Sequence, residues 1–245
     1  MELGYRSGMK KILGAACALA LLLSPAARAE RIELEAAPPF VQTFKQLAVR
    51  ILRGGGEGTQ FVGSGFAWVR EGKVLVITNA HVAQLGLAPE PPRGGLHVGF
   101  AGPLGWHAAT TVRNLPEADL AVIETPVTAP QGNPYALGIA HLGEEIYSIS
   151  FSEREFQQDT PVIHKGRVIA VTGALFPKSI LVPKPPFPPD AVAVYLIEGT
   201  NCLPGTSGSM MLNSRGQLVA YHAGAIEGGL CVAVAIDELE RFLAR

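Results

Sequence analysis

The sequence has few of the residues that build metal sites or nucleic-acid surfaces. It has three cysteines in 245 residues, no Cys-x-x-Cys pair, and no His-Glu-x-x-His stretch among its six histidines. Zinc sites use ligands at such spacings, so we expect no metal and no cofactor, and a metal-dependent hydrolase is disfavoured. Charged residues make up 17% and the formal net charge is −1, so nothing favours a nucleic-acid partner.

No apolar run reaches the length of about 20 residues that a membrane-spanning helix needs. Ile12 to Leu23 comes nearest, but it follows a basic start and breaks at Ser24-Pro25, before the small-residue site Ala27-Arg28-Ala29. This order is typical of a secretory signal peptide. We therefore predict a signal peptide over 1–29, a secreted or periplasmic protein, and no stable membrane insertion once the signal is removed. Its removal changes the formal net charge from −1 to −4.

Two cysteines remain after the predicted signal peptide. An oxidising compartment favours a disulfide between Cys202 and Cys231, although a pair of buried free thiols is the alternative. Such a disulfide would tie the segment before Ser207 to a strand that follows it.

Short segments rich in β-branched and aromatic residues, bounded by Gly, Pro or Asn, indicate an all-β fold. They form two series, which predict two antiparallel β-barrels, the first over about 48–125 and the second over about 139–235. A lead-in of residues 30–47, helical from about Phe40, comes before the domain of residues 48–245. A helix over 237–244, capped by Asp237, ends the chain. The predicted strands are Ala48–Arg53, Phe61–Val69, Lys73–Ile77, Leu96–Phe100, Trp106–Val112, Leu120–Glu124, Ile146–Phe151, Val162–Val171, Ala191–Glu198, Ser209–Leu212, Gln217–His222 and Cys231–Ala235.

Two segments rich in proline and glycine, Ala88 to Gly95 and Pro183 to Pro189, are predicted as stiff extended loops. A third, Thr125 to Gly138, is predicted to connect the two barrels.

One serine lies in a segment of small residues, Gly205-Thr206-Ser207-Gly208-Ser209. Gly205 can adopt backbone angles that other residues avoid, and Gly208 leaves space above Ser207 for a substrate carbonyl. Taken alone, the segment is more typical of a plain turn. A serine hydroxyl becomes a nucleophile at neutral pH only when a base accepts its proton and a carboxylate orients that base. A catalytic serine therefore requires a suitable histidine and acid elsewhere in the chain.

His81 is the strongest histidine candidate, because an apolar strand and small residues precede it. The other histidines before Ser207 are interpreted as ordinary surface or edge positions; they are His97, His107, His141 and His164. Asp119 lies where a loop enters an apolar segment, a place where aspartate also caps turns. The chain order is His81, Asp119, Ser207, whereas α/β-hydrolases have the order Ser, acid, His. We predict that these three residues form a catalytic triad.

Four segments together resemble the trypsin-like serine endopeptidases of bacteria, over about Ala48 to Ala235. Closest in motif are the glutamyl endopeptidases and the protease domain of the high-temperature-requirement proteases. The resemblance implies a chymotrypsin-like fold with the active site in the cleft between two barrels. It also implies an oxyanion hole formed by the backbone N–H groups of Gly205 and Ser207. The four segments are Gly63-Ser64-Gly65-Phe66, Thr78-Asn79-Ala80-His81-Val82, Asp119-Leu120-Ala121-Val122 and Pro204-Gly205-Thr206-Ser207-Gly208-Ser209.

Thr206 departs from the pattern of zymogen-type trypsins, which have an aspartate before the nucleophile that pairs with a newly cut N-terminus. Activation by that ion pair is not available here. We therefore predict that no propeptide cleavage is needed beyond signal removal.

His222 lies fifteen residues after Ser207. In glutamyl endopeptidases a histidine in the similar segment hydrogen-bonds the substrate carboxylate, so the resemblance implies a substrate-binding role and a preference for Glu. The alternative is a strand histidine whose hydrogen bonds are made by its neighbours. The sequence thus predicts an exported serine endopeptidase acting on proteins or peptides. A catalytically inactive domain of the same fold, serving as a peptide-binding module, is the alternative.

Overall fold

The computed structural model describes residues 30–54, 59–87, 95–109, 111–129, 132–152, 160–176, 180–182, 190–226 and 229–244. The predicted signal peptide, the Pro183 to Pro189 loop and most of the segment from Ala88 to Gly95 lie outside these ranges. In the described part of the chain, no helix is both long enough and apolar enough to cross a membrane.

The described residues contain fifteen strands and three α-helices. The helices are α1 (Pro39–Phe44), α2 (Ala80–Leu87) and α3 (Asp237–Leu243). Short 3-10 turns cover Leu34–Ala36, Lys45–Leu47 and Pro116–Ala118. The strands are β1 (Glu30–Ile32), β2 (Ala48–Arg53), β3 (Gln60–Arg70), β4 (Lys73–Thr78), β5 (Leu96–Phe100), β6 (Trp106–Ala108), β7 (Thr111–Leu115), β8 (Leu120–Thr128), β9 (Glu145–Ser150), β10 (Val162–Leu175), β11 (Ile180–Val182), β12 (Val192–Glu198), β13 (Met210–Asn213), β14 (Leu218–Ile226) and β15 (Leu230–Ala235).

The strands form two antiparallel sheets that follow each other in the chain. The first has the order β6-β5-β2-β3-β4-β8-β7 and is open, which makes it a half-barrel. The second runs β10-β12-β15-β14-β13-β9, and pairing of β9 with β10 closes it into a six-stranded barrel. Strands β1 and β11 add to β10 outside this ring. The all-β prediction with two barrel-like sheets is confirmed, with the first sheet left open.

Most predicted strands lie where the pattern places them, and the differences concern ends and short elements. The segment predicted as one strand over Trp106–Val112 is two strands, β6 and β7. Helix α2 and strands β1 and β11 were not predicted, because their sequences show no clear helix or strand pattern. Asp237 is the first residue of α3 and does not cap it; its carboxylate instead pairs with Arg241 at 2.5 Å.

A single apolar cluster extends through both sheets and joins them. Phe66 of β3, Phe151 after β9 and Tyr221 of β14 are among its largest fully buried side chains. Because these residues come from both halves of the chain, burial of apolar surface fixes the two sheets against each other. Hydrogen bonds also cross this junction, from Ser64 to the loop that carries Ser207 and from Tyr221 to the turn before Asp119.

Candidate active site

His81 and Asp119 form a hydrogen-bonded pair where β4 ends and β8 begins in the first sheet. His81 is the second residue of α2, and Asp119 links the Pro116–Ala118 turn to β8. Nδ1 of His81 lies 2.8 Å from Oδ2 and 3.1 Å from Oδ1 of Asp119, and the His81 backbone N–H also donates to Oδ1 at 3.1 Å. A carboxylate only accepts hydrogen bonds, so Nδ1 carries a proton and Nε2 is left to act as a base.

The backbone of Asp119 is held in a left-handed conformation, with φ 46° and ψ 45°. Its N–H donates to Pro116 O at 3.0 Å, and the side chain of Asn79 donates to its carbonyl at 2.9 Å. The hydroxyl of Tyr221 donates to the preceding carbonyl, Ala118 O, at 2.8 Å. These three hydrogen bonds hold the peptide groups on both sides of Asp119, the residue whose carboxylate bonds His81.

The loop that carries Ser207 runs from β12 to β13 and is attached to the first sheet through Ser64. The Ser64 N–H donates to Ser207 O at 2.9 Å, and its hydroxyl donates to Gly205 O at 2.8 Å. Gly208 has a φ of 87°, and a Cβ there would collide with the Ser64 carbonyl and the Thr78 hydroxyl. Only a glycine allows the serine loop to come this close to the first sheet.

The Ser207 backbone lies near α2, the helix that contains His81. A Cβ built on Gly63 would be 2.7 Å from the Val82 side chain and 3.4 Å from Ser207 O. In space, Gly63 therefore lies between Val82 and the Ser207 carbonyl. In the described residues the Ser207 hydroxyl makes no hydrogen bond to the His81 ring. The structure therefore forms the predicted His81–Asp119 pair, and it places the Ser207 carbonyl across Gly63 from Val82, the residue after His81.

The backbone N–H groups around Ser207 alternate between bonded and unbonded. Those of Thr206, Gly208 and Ser209 donate to carbonyl oxygens within the protein. Those of Gly205 and Ser207 have no acceptor in the part of the chain that the structure describes. Gly205 has a φ of 93°. Two unbonded N–H groups separated by one residue, the second of them the N–H of the serine itself, can donate to a negatively charged oxygen.

His222 of β14 is only 1% exposed, and both of its ring nitrogens have partners within the protein. Nε2 lies 2.8 Å from Gly224 O, and Nδ1 lies 3.1 Å from the Thr206 hydroxyl. Burial lowers the pKa of His222 below the usual value of 6.5. The ring is therefore neutral near pH 7, donating from Nε2 and accepting at Nδ1.

Cys202 and Cys231 form a disulfide, as predicted, with Cα atoms 5.6 Å apart. It joins the loop before Ser207 to β15. The Cys202 and Cys231 sulfurs and a His222 nitrogen lie within 4.8 Å of one another, a grouping that could bind a metal ion. In this oxidised form the sulfurs are bonded to each other and both ring nitrogens are hydrogen-bonded, so no thiolate is available as a ligand.

A cleft of about 320 Å³ opens over the His81–Asp119 pair, and its lining includes Phe176 and Ala223. These two residues also line a smaller adjoining pocket of about 60 Å³, whose other lining side chains are aliphatic. A substrate that reached His81 would therefore have an apolar pocket beside it.

Two supporting residues were not predicted from the sequence. Ser64 lies in the Gly63–Phe66 segment, which marked the resemblance without suggesting that its hydroxyl would hold the nucleophile loop. Tyr221 gave no signal, since a tyrosine in an apolar strand is typical of a core position.

Residues 63–220 match the family model described as a trypsin-like peptidase domain. Among solved structures, the active form of the Rv3671c protease from M. tuberculosis is similar, with 19% identity, a TM-score of 0.62 and coverage of 90% of each chain. The MamO protease domain from Magnetospirillum magneticum has 17% identity and a TM-score of 0.60, covering 82% of this chain and 97% of its own. Deg5 has 20% identity and a TM-score of 0.59, with 82% of this chain and 89% of Deg5 covered.

At these identities the structural neighbours show the fold alone, a chymotrypsin-like arrangement of one closed barrel and one half-barrel. The sequence has no significant match among curated proteins. The family model spans well over half of the chain and includes His81, Asp119 and Ser207. The chain therefore belongs to the trypsin-like peptidase family.

Proposed function

We propose that the protein is an exported serine endopeptidase that hydrolyses peptide bonds with a Ser207-His81-Asp119 triad. The observation that carries the proposal is the His81–Asp119 pair, in which Nδ1 is fixed by the carboxylate while Nε2 stays free. The bond from the Ser64 N–H to Ser207 O, which attaches the serine loop to the sheet that carries this pair, supports the proposal. Export is supported by the signal-like sequence of residues 1–29 and by the Cys202–Cys231 disulfide, since disulfides persist in oxidising compartments.

In the proposed mechanism, His81 Nε2 accepts the Ser207 proton as Oγ attacks the substrate carbonyl carbon. Asp119 stabilises the resulting imidazolium, and the Gly205 and Ser207 N–H groups bind the oxyanion. His81 then gives its proton to the leaving amine, which breaks the peptide bond and leaves an acyl group on Ser207. A water molecule, deprotonated by His81, hydrolyses this ester and restores the serine.

Labelling with a fluorescent fluorophosphonate tests the proposal, because this reagent reacts only with an activated serine. The wild-type protein should be labelled, Ser207→Ala should not, and His81→Ala should be labelled at least about 100-fold more slowly. Ser214→Ala is the matched control, since Ser214 is an exposed residue in the turn between β13 and β14. Labelling that survives in Ser207→Ala would show that another serine reacts. A wild-type protein that binds peptides without being labelled would instead favour the inactive binding module.

A preference for Glu before the scissile bond is a finer part of the proposal. It is supported by the resemblance to glutamyl endopeptidases at His222. It requires Nε2 to exchange its bond with Gly224 O for one with the substrate carboxylate. Cleavage of a peptide library should then favour Glu, and His222→Gln should reduce that preference. Cleavage after basic or large apolar residues would overturn it and leave the triad untouched.

A further inference from the structure

Tyr221 of the closed barrel forms a hydrogen bond with the Pro116–Ala118 turn, which precedes Asp119 in the first sheet. It lies on β14, is fully buried, and belongs to the apolar cluster shared by the two sheets. Its hydroxyl donates to Ala118 O at 2.8 Å, and Ala118 itself is only 1% exposed. This bond therefore joins the strand that supports the nucleophile loop to the residue immediately before Asp119.

The carbonyl that accepts from Tyr221 belongs to the peptide group between Ala118 and Asp119, the residue whose carboxylate bonds His81. Asp119 has a positive φ, a conformation that costs a non-glycine residue of order 1 kcal/mol and persists only where its surroundings impose it. Tyr221 acts on the N-terminal side of this residue, through Ala118 O, and Asn79 acts on its own carbonyl. Without the hydroxyl, a buried carbonyl would lose its donor and the peptide could rotate away from His81.

Burial, with Asp119 nearby, raises the pKa of the Tyr221 hydroxyl well above its usual value of 10. The phenol therefore remains protonated and can donate at every pH at which a serine protease works.

We propose that Tyr221 is a positioning residue, whose hydroxyl holds the Ala118–Asp119 peptide so that the Asp119 carboxylate faces His81. The inference rests on the proposed function, because it gives Tyr221 a role in the triad that Ser207 completes. On this proposal, a hydrogen bond between the two sheets contributes to catalysis as well as to stability.

Tyr221→Phe tests the inference, because it removes the hydroxyl and keeps the buried ring. The labelling rate with the fluorophosphonate should fall about 10- to 100-fold, since small displacements of catalytic groups have effects of this size. With a fluorogenic peptide substrate, kcat should fall while KM stays within about twofold of wild type, because the variant changes no group that touches substrate.

Tyr195→Phe is the matched control. Tyr195 is also a buried tyrosine of the closed barrel, and its hydroxyl accepts from Ala140 N at 3.3 Å, in a different apolar cluster. This variant should lose thermal stability without any change in kcat. If Tyr221→Phe behaves in the same way, its hydroxyl is purely structural and the inference is wrong. A wild-type protein that is not labelled at all would instead overturn the proposed function.

Asn79→Ala is a second test of the same backbone segment. It remains available if Tyr221→Phe does not fold. It removes the bond to Asp119 O and should lower kcat while KM stays within about twofold of wild type. Where both variants fold, the double variant should lose less activity, in free-energy terms, than the two single losses added together, because both bonds hold one backbone segment. Strictly additive losses, or an unchanged kcat in Asn79→Ala, would contradict the inference.

Discussion

His222 accepts a hydrogen bond from Thr206, the residue immediately before the proposed nucleophile. Nδ1 and the Thr206 hydroxyl oxygen are 3.1 Å apart, and both groups are buried. The hydroxyl also donates to Leu203 O at 2.8 Å, a carbonyl that accepts the Thr206 N–H at 3.1 Å as well. Because the neutral His222 ring donates from Nε2 to Gly224 O, Nδ1 carries no proton, and the hydroxyl proton is shared between Leu203 O and Nδ1. The turn that presents Ser207 is thus closed by its own backbone and attached to β14.

Replacing Thr206 with valine should disturb this turn. The change keeps the side-chain shape, removes the hydroxyl and leaves Nδ1 of His222 buried without a donor. An unsatisfied buried polar group costs about 1–3 kcal/mol of unfolding free energy, and the labelling rate at Ser207 should fall about 10-fold. Thr206→Ser, which retains the hydroxyl, should behave like wild type in urea unfolding and in labelling. Equal behaviour of the valine and serine variants would show that the bond does not support the loop.

The buried His222 should also make the protein less stable in acid. Its pKa is lowered by burial in the folded state, whereas the unfolded chain binds this proton below about pH 6.5. The unfolded state therefore holds more protons as the pH falls below that value, and stability decreases. Between about pH 7.5 and pH 5, wild type should lose more unfolding free energy than His222→Gln. Urea unfolding at the two pH values measures the difference, and parallel losses would contradict the explanation.

The fold was largely predictable because most strands carry their own local pattern. The apolar segment Ala48–Arg53 and the strand before His81 show alternation or β-branched runs, which a single sequence displays directly. Helix α2 is a different case. It begins with the Ala83 N–H donating to Asn79 O, and its short apolar sequence is equally compatible with a strand or a loop. The open form of the first sheet depends on pairings between distant strands, which no local pattern encodes.

The site was predictable to the extent that its chemistry is tied to residue type. A histidine and an aspartate in a recognisable order predicted the pair that the structure forms. Ser64 and Tyr221 could not be assigned, because a serine and a tyrosine acquire these roles only when the fold places a distant carbonyl opposite each hydroxyl. Their partners lie 141 residues away from Ser64 and 103 residues away from Tyr221 in the chain.

The disulfide should contribute strongly to stability. It closes a segment with a sequence separation of 29 residues. By the chain-entropy estimate, the Cys202→Ala/Cys231→Ala variant should lose about 3–4 kcal/mol of unfolding free energy in urea titrations. A thiol reductant should lower the stability of wild type and leave this double variant unchanged. A wild type that responds to reductant no more than the double variant would show that the bond does not stabilise the fold.

Gly208 should be the least replaceable residue of the nucleophile loop. Its φ of 87° disfavours any side chain, and a Cβ would collide with Ser64 and Thr78, which belong to the other sheet. In Gly208→Ala the loop must move away from the first sheet, which carries Ser207 away from His81. We expect labelling to fall at least about 100-fold, because displacement of a nucleophile by about 1 Å has effects of this size. Gly132→Ala is the control, since a Cβ there meets no atom within 4 Å. Labelling of Gly208→Ala at the wild-type rate would mean that the close approach of the loop to Ser64 is not needed to place Ser207.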